Sequence, residues 1–397
     1  MSTQNSTATS STSSSGVTLD EVLQAAKAVT SRYPESYYDE LDRTGGYPHE
    51  FIKDAMAAGL GAIMVPAEYG GMGLGVREAS VVTEEIHRSG GSGSMLHGQM
   101  FMMGILARHG SEEQKRRVLT EVAAGRVRLQ SFSVTEPNAG TDTSKITTRA
   151  TREGNQWVIN GQKVWTSRAA HTDMLIVLAR TRPPKDPAKP FDGLSCFLVD
   201  VRGVDPKQFQ LRKIDVIFNH HTYEVFYDNL RVPENALIGE EGKGFKYLLD
   251  GLNAERVLIT SECIGDGRWF VDKAVKYANE RVIFGKQIGA NQGVSFPIAR
   301  GYAHLEAADA LRWKAAEMFD RHENCGAEAN MAKMLASEAS WELANACMQT
   351  HGGFGLAREY GIERRFRENR VFQIAPISTN MVLNYISQHV LKMPRSY

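Results

Sequence analysis

The spacing of hydrophobic positions along this chain changes period twice. From about Thr18 to Arg128 apolar residues recur at helical intervals, with Leu19, Val22, Leu23 and Ala26 on one face of a predicted first helix. Thr18 and Glu21 precede that run at the spacing of a capping box. Ser111 and Gln114 repeat the device before RRVLTEVAAG, where Gly125 supplies a stop. The segment YGGMGLGV is glycine-rich, but the third glycine of a GxGxxG loop would fall on Val76, so it predicts a turn between helices. From about Leu129 to Gly239 the pattern turns to short strands. Glu153-Gly154-Asn155 and Asn160-Gly161 interrupt it, and Asn-Gly predicts a hairpin, the second one closed by Trp165-Thr166-Ser167. MLIVLARTR and LSCFLVDV predict further strands, separated by a loop holding Pro183, Pro184, Pro187 and Pro190. From about Glu240 the helical period returns. Phe245, Leu248, Leu249, Leu252, Ile259 and Cys263 form one stripe, and EANMAKMLASEASWELANACMQ forms a second long amphipathic helix. At ~100° per residue, Arg256 falls inside the first stripe and Glu255 at its edge.

The predicted order is therefore helical, β, helical: an α+β chain, mainly α. Its regions are 1–16, 17–128, 129–239 and 240–397, with an antiparallel β domain in the centre. Residues 1–16, MSTQNSTATSSTSSSG, hold almost nothing a core could bury, so a disordered Ser/Thr-rich tail is expected.

Composition narrows the function. Among 397 residues, 46 Lys and Arg balance 46 Asp and Glu, so the basic excess of a nucleic-acid binder is missing. No apolar run approaches the ~18 residues of a membrane-spanning helix. Cys196, Cys263, Cys325 and Cys347 lie far apart with no CxxC pair, which argues against a zinc knuckle and for free thiols in a reducing compartment. The first residues lack an apolar segment, and no Arg precedes Arg32, so a cytoplasmic location is expected. His220-His221 could bind metal, but with no third ligand in view no metal site is expected.

Several segments carry candidate chemistry. Phe132–Asp142, FSVTEPNAGTD, is a strand end followed by small and hydroxyl residues, which suits a polar ring edge, a phosphate or an ordinary turn. Trp165 beside Ser167 offers a flat face and a hydroxyl, as a core Trp also would. RVIFGKQIGANQ places an Arg281 fork, the Phe284 ring and the Gln292 amide at a helix end, either to hold a phosphate or simply exposed. After Gln349, Gly352 and Gly353 allow close backbone approach to a ligand, or cap a helix.

Together these segments resemble the acyl-CoA dehydrogenase family. VTEPNAGTD is similar to that family's VTEPxAGSD, and Trp165 with Ser167 to its Trp-x-Thr. RVIFGKQIGANQ is similar to RxxFGxxIxxxQ, and QTHGGFG through FRENRVFQI to the QxxGGxGxxxE…RD…QI stretch. All four occur in the family's order from about residue 40. The resemblance implies an N-terminal helical domain, a central β-barrel and a C-terminal four-helix bundle, with FAD between barrel and bundle. It implies that Phe132, Val134, Thr135, Trp165 and Ser167 line the isoalloxazine. Arg281, Phe284, Gln292, Gln349, Gly352 and Gly353 would hold the pyrophosphate and adenine side, partly across a dimer. Ser378, Asn380 and Thr141 also fall on the cofactor side. Thr141, Asn253 and Arg256 would touch the acyl-CoA. A homo-oligomer, a dimer of dimers, and an electron-transferring flavoprotein as acceptor are likewise implied.

The reaction so implied is α,β-desaturation, which needs a carboxylate base in a dry pocket. Pro376 stands where many members of the family carry that Glu. Glu255-Arg256 matches the second placement, that of isovaleryl-CoA and long-chain dehydrogenases. Proline also lacks the N–H that would donate to the thioester carbonyl. Either Ile377 or Ala375 supplies it, or the flavin ribose hydroxyl carries the carbonyl alone, or the reaction belongs to another class: lyase or desulfinase-like, or an oxygen-using oxidase or monooxygenase. Met95, Met100, Phe101, Met102 and Met103 lie on a helix expected to border the acyl pocket or to pack in the core.

Overall fold

A computed structural model describes residues 16–395, so the expected tail over 1–16 lies outside the described residues except for Gly16. Five helices open the chain: α1 (Leu19–Thr30), α2 (Glu35–Thr44), α3 (His49–Ala57), α4 (Val76–Arg88) and α5 (Ser94–His109). Both predicted capping boxes form. Thr18 N–H donates to Glu21 Oε2 at 2.8 Å, and Ser111 with Gln114 caps α6 (Glu112–Gln114), which runs through a π turn into α7 (Thr120–Ala123). The glycine-rich segment before α4 is a turn, as its missing third glycine implies. Helix α5 is buried nearly all round, because it lies between the sheet and the first long C-terminal helix.

The central region is an eight-stranded sheet: β1 (Leu129–Ser133), β2 (Arg149–Glu153), β3 (Gln156–Ser167), β4 (Met174–Arg180), β5 (Leu194–Asp200), β6 (Phe209–Lys213), β7 (Thr222–Pro233) and β8 (Leu237–Ile238). Its order is β6-β7-β3-β2-β4-β5-β8, with β1 added to β4. Two expectations are corrected. The sheet is open, because β6 and β8 end the path without pairing, so it is not a closed barrel. It is also mixed, because β1 pairs parallel with β4. Period-2 patterning reports which face of a strand is buried. It carries no information on direction or closure, which depend on which edges meet.

Gly154-Asn155 makes the two-residue hairpin between β2 and β3. Asn160-Gly161 does not turn. β3 continues through it, with an irregularity opposite β7 between Ile159 and Gly161. Gly161 has φ +150°, and a Cβ there would fall 2.5 Å from Thr148 Oγ1, so the glycine serves close passage rather than a turn. β4 and β5 are buried on both faces, and their alternation divides two cores. Ile176, Leu178, Cys196 and Leu198 join the helical core, whereas Leu175, Val177, Phe197 and Val199 join the sheet's own.

The C-terminal region is helical, as expected, with three long helices and two short ones among the described residues. These are α8 (Gly244–Glu280), α9 (Gln292–Asp320), α10 (Gly326–His351), α11 (Ile362–Asn369) and α12 (Thr379–Tyr385); a small hairpin of β9 (Val282–Ile283) and β10 (Lys286–Gln287) follows α8. Helix α8 packs against α4, α5, α9 and α10 and carries buried charge along its length. Asp266 is fully buried. It meets the Arg365 guanidinium of α11, the Asn369 amide at 2.9 Å and His87 Nδ1 of α4 at 2.7 Å. Removing Asp266 takes from Arg365 its fully buried ionic partner and leaves only Glu368, at 2.9 Å, among the described residues; breaking a buried pair typically costs about 3–5 kcal/mol, whereas an apolar pair of similar volume is often neutral. Asp266→Leu should therefore lower the thermal midpoint sharply, and adding Arg365→Met should restore most of the loss. An additive double variant in thermal melts would contradict this.

Candidate active site

A cavity of about 1510 Å³ opens where the three regions meet. That exceeds the ~300–1,000 Å³ typical of a pocket for one small ligand, so two ligands can share it. The sheet supplies Phe132, Trp165 and Ser167 to its wall, the loop after β1 supplies Val134, Thr135 and Thr141, and α8 supplies Asn253, Glu255 and Arg256. Ser378 lines it from the segment before α12, next to Pro376 and Ile377. Of the expected helix residues, Met95, Phe101 and Met102 reach the cavity. Met100 and Met103 are buried in the helical core on the other side of α5.

The β wall suits a flat heteroaromatic group. Trp165 has φ +60° and stays half-exposed to the cavity, a strained backbone that only surrounding structure holds in place. Ser167 Oγ lies 2.8 Å from His220 Nε2, which fixes its hydroxyl beside the indole. Burial pushes the His220 imidazole down to about 3, so it stands neutral. The His pair is thus engaged within the protein: His221 Nδ1 is 3.0 Å from His171 Nε2. An indole face, hydroxyls and the Val134–Thr135 backbone together fit the ring system of a flavin.

The opposite wall is α8. Glu255 is buried, and its Oε2 has no hydrogen-bond partner among the described residues. Burial raises its carboxyl to about 7, against the opposing influence of His97, Arg256 and Arg168. Arg256 Nη1 donates to Asn253 Oδ1 at 2.7 Å, holding the two expected substrate residues together one turn apart. Pro376 follows Ala375, whose N–H is already donated to Val371 O at 2.9 Å. Ile377 N–H has no acceptor among the described residues, while Lys333 Nζ donates to Ile377 O at 2.7 Å and fixes that segment.

Arg281, Phe284, Gln292, Gln349, Gly352 and Gly353 do not line this cavity, nor does Asn380. The first six gather at one end of the helical region, where α8 and α10 finish and α9 begins, and all are exposed. Phe284 is fully exposed at φ +51°, with Val282, Ile283, Phe354 and Leu356 exposed around it. Several cavity residues have no counterpart in the sequence motifs: His97, Gln130, Arg168 and Glu262. Glu262 alone had a legible signal, since it lies two turns after Glu255 on the same stripe.

Profiles of the acyl-CoA dehydrogenase N-terminal, middle and C-terminal domains match residues 18–126, 131–230 and 242–391. The chain is similar to the acyl-CoA dehydrogenase FadE12 of Mycobacterium tuberculosis, 34% identical over 97% of this chain and 100% of that protein. It is similar to CarC, a subunit of the caffeyl-CoA reductase-Etf complex of Acetobacterium woodii, 32% identical over 89% of this chain and 93% of that one. Among solved structures, glutaryl-CoA dehydrogenase in complex with glutaryl-CoA superposes with a TM-score of 0.87 at 29% identity, covering 95% of this chain and 96% of that one.

The raised Glu255 carboxyl has a consequence for stability. Its folded value of about 7 lies above the ordinary 4.5, so the folded state holds this proton more tightly than the unfolded state. Its stabilising share is complete below about 4.5 and lost as pH rises through about 7, to a total on the order of 3 kcal/mol. Thermal midpoints of wild type and Glu255→Gln should coincide near pH 4.5, and the variant should become the more stable by several degrees near pH 8. Parallel melting curves across that range would refute the placement of a titrating Glu255 in a dry site.

Proposed function

This chain belongs to the acyl-CoA dehydrogenase family, and on that premise we propose that it desaturates an acyl-CoA thioester between Cα and Cβ with Glu255 as the base. It is a flavin-dependent oxidoreductase that uses FAD. The observation that carries the proposal is the buried Glu255 carboxylate, with one oxygen unpartnered, in a cavity large enough for cofactor and substrate. When bound, FAD supplies the hydride acceptor.

The chain's own residues do the rest. Glu255 Oε2 takes the Cα proton, and at a raised value near 7 it is both partly ionised and a stronger base than an exposed carboxylate. Ile377 N–H, free and held in place by Lys333, donates to the thioester carbonyl in the role Pro376 cannot fill. Arg256 and Asn253 orient the thioester against α8. The apolar side chains of Phe101, Met102 and Leu248 exclude water around Cα. Trp165, Ser167, Val134 and Thr135 hold the isoalloxazine against the sheet.

Arg281, Phe284, Gln292, Gln349, Gly352 and Gly353 lie too far round the helical end to serve this cavity. In our proposal they complete the cofactor site of a second copy of the chain. The exposed apolar cluster at Val282, Ile283 and Phe284 supports this, because such patches commonly mark interfaces. An electron-transferring flavoprotein is the proposed acceptor, supported by the similarity to CarC. The acyl groups in the names of similar proteins, caffeyl and glutaryl, differ widely at nearly equal identity, so similarity alone leaves the acyl group open.

Purified protein should be yellow and release FAD, identified by mass. Arg281→Ala should lose FAD and shift toward monomer together on size-exclusion chromatography. Glu255→Gln should keep FAD and bind acyl-CoA, yet slow flavin bleaching by ~10²–10⁴-fold. In wild type kcat/KM should rise with pH through about 7, the limb that reports the free base. If no saturated acyl-CoA bleaches the flavin, the dehydrogenase assignment fails and another reaction class on this scaffold takes its place.

A further inference from the structure

The cavity does not end on an apolar floor. Seven residues beyond Glu255 on α8, Glu262 is fully buried and lines the same cavity. Seven residues are two turns, so the two carboxylates stand roughly 10.5 Å apart along the helix axis. Glu262 Oε1 lies 2.6 Å from His97 Nδ1 of α5. Burial opposes its ionisation, but the His97 and His87 imidazoles beside it outweigh burial and hold it well below the usual carboxylate range. Its Oε2 has no hydrogen-bond partner among the described residues.

A second residue with an unpartnered polar atom lines the same cavity. Gln130, on β1, is fully buried. Its Oε1 accepts from Tyr47 Oη at 2.8 Å, which orients the amide and leaves Nε2 as an unpartnered donor. Arg168 lies beside it, bonding Gln130 O through Nε at 3.2 Å. The guanidinium packs close against α5: a Cβ on Gly98 would stand 2.8 Å from Arg168 Nη2.

A buried acceptor and a buried donor are each unfavourable without a partner. One ligand group that both donates and accepts would satisfy the two together. A methyl terminus does neither, an ammonium only donates and a carboxylate only accepts, whereas a hydroxyl does both. We infer that the inner end of the acyl pocket binds a hydroxyl carried on the acyl chain well beyond Cβ, so that the substrate class is a hydroxyacyl-CoA thioester. Glu262 Oε2 accepts its proton and Gln130 Nε2 donates to its oxygen. The inference rests on the dehydrogenase assignment above.

The test is a panel of CoA thioesters from butyryl to decanoyl, each length with a terminal methyl, hydroxyl, amino or carboxyl group, scored by kcat/KM with an artificial electron acceptor. At one length or more the hydroxyacyl ester should exceed its unsubstituted counterpart by at least about tenfold. Glu262→Gln, which keeps shape but removes charge, and Gln130→Met, which removes the donor, should each shrink that ratio at least about fivefold. FAD content and thermal melts check folding, and either variant alone suffices if the other does not fold. Several outcomes would overturn the hydroxyl subsite while leaving the dehydrogenase assignment intact. In one, unsubstituted esters bleach the flavin and lead at every length. In others, amino or carboxyl esters lead, or the variants depress hydroxylated and unsubstituted esters equally. No bleaching by any ester would instead sink the assignment on which the inference rests.

Discussion

Helix α8 must hold three buried carboxylates, Glu255, Glu262 and Asp266, and much of the site's construction follows from how each is compensated. Burying an isolated carboxylate is strongly unfavourable, so the helices around α8 have to supply cations and donors. Asp266 is met by Arg365, Asn369 and His87 from α11 and α4. Glu262 is met by His97 from α5. Glu255 is left with an unpartnered oxygen, and burial lifts it to about 7. Compensation thus thins along the helix from Asp266 to Glu255, and the carboxyl proposed as the base stands where it runs out.

The facing wall is held by a second buried pair. Lys163 on β3 donates to Val134 O at 2.7 Å and to Glu136 Oε1 at 3.0 Å. Glu136 in turn accepts from the Thr147 and Thr148 N–H groups, each at 2.8 Å. Burial opposes the Glu136 charge, yet Lys163 and those donors bring it down to about 2, while burial lowers Lys163 to about 8. This pair ties the loop that presents Val134 and Thr135 to the middle of a strand. Both walls are thus held in the same way, each by a buried ionic contact. β4 and β5 join the two halves, because they contribute side chains to the helical core and the sheet core at once.

Much of the architecture was legible in the residues. Capping boxes, the Gly154-Asn155 turn, the amphipathic stripe of α8 and the helical, β, helical order are local features, each set by neighbours within a few positions. Glu255 was legible because a carboxylate at the edge of an apolar stripe is anomalous on any helix. Sheet closure and strand direction were not, since an alternating strand pairs equally well with several partners. Asn160-Gly161 misled for the same reason: the dipeptide permits a turn, but the close passage past Thr148 and the continuous pairing with β7 decided for an extended strand.

By itself, then, the sequence determined the elements, their order, the family motifs and one anomalous carboxylate, all of them consequences of short-range spacing. Tertiary structure alone decided the chemistry of the cavity. It brought Gln130, Arg168, His97 and Glu262 from four distant segments to one inner wall, and it sent Arg281 and Phe284 to an exposed end away from the cavity. It also decided which buried groups found partners and which did not. The physical reason is that desolvation and hydrogen-bond satisfaction depend on what packs opposite a side chain, and that neighbour lies tens or hundreds of residues away in the chain.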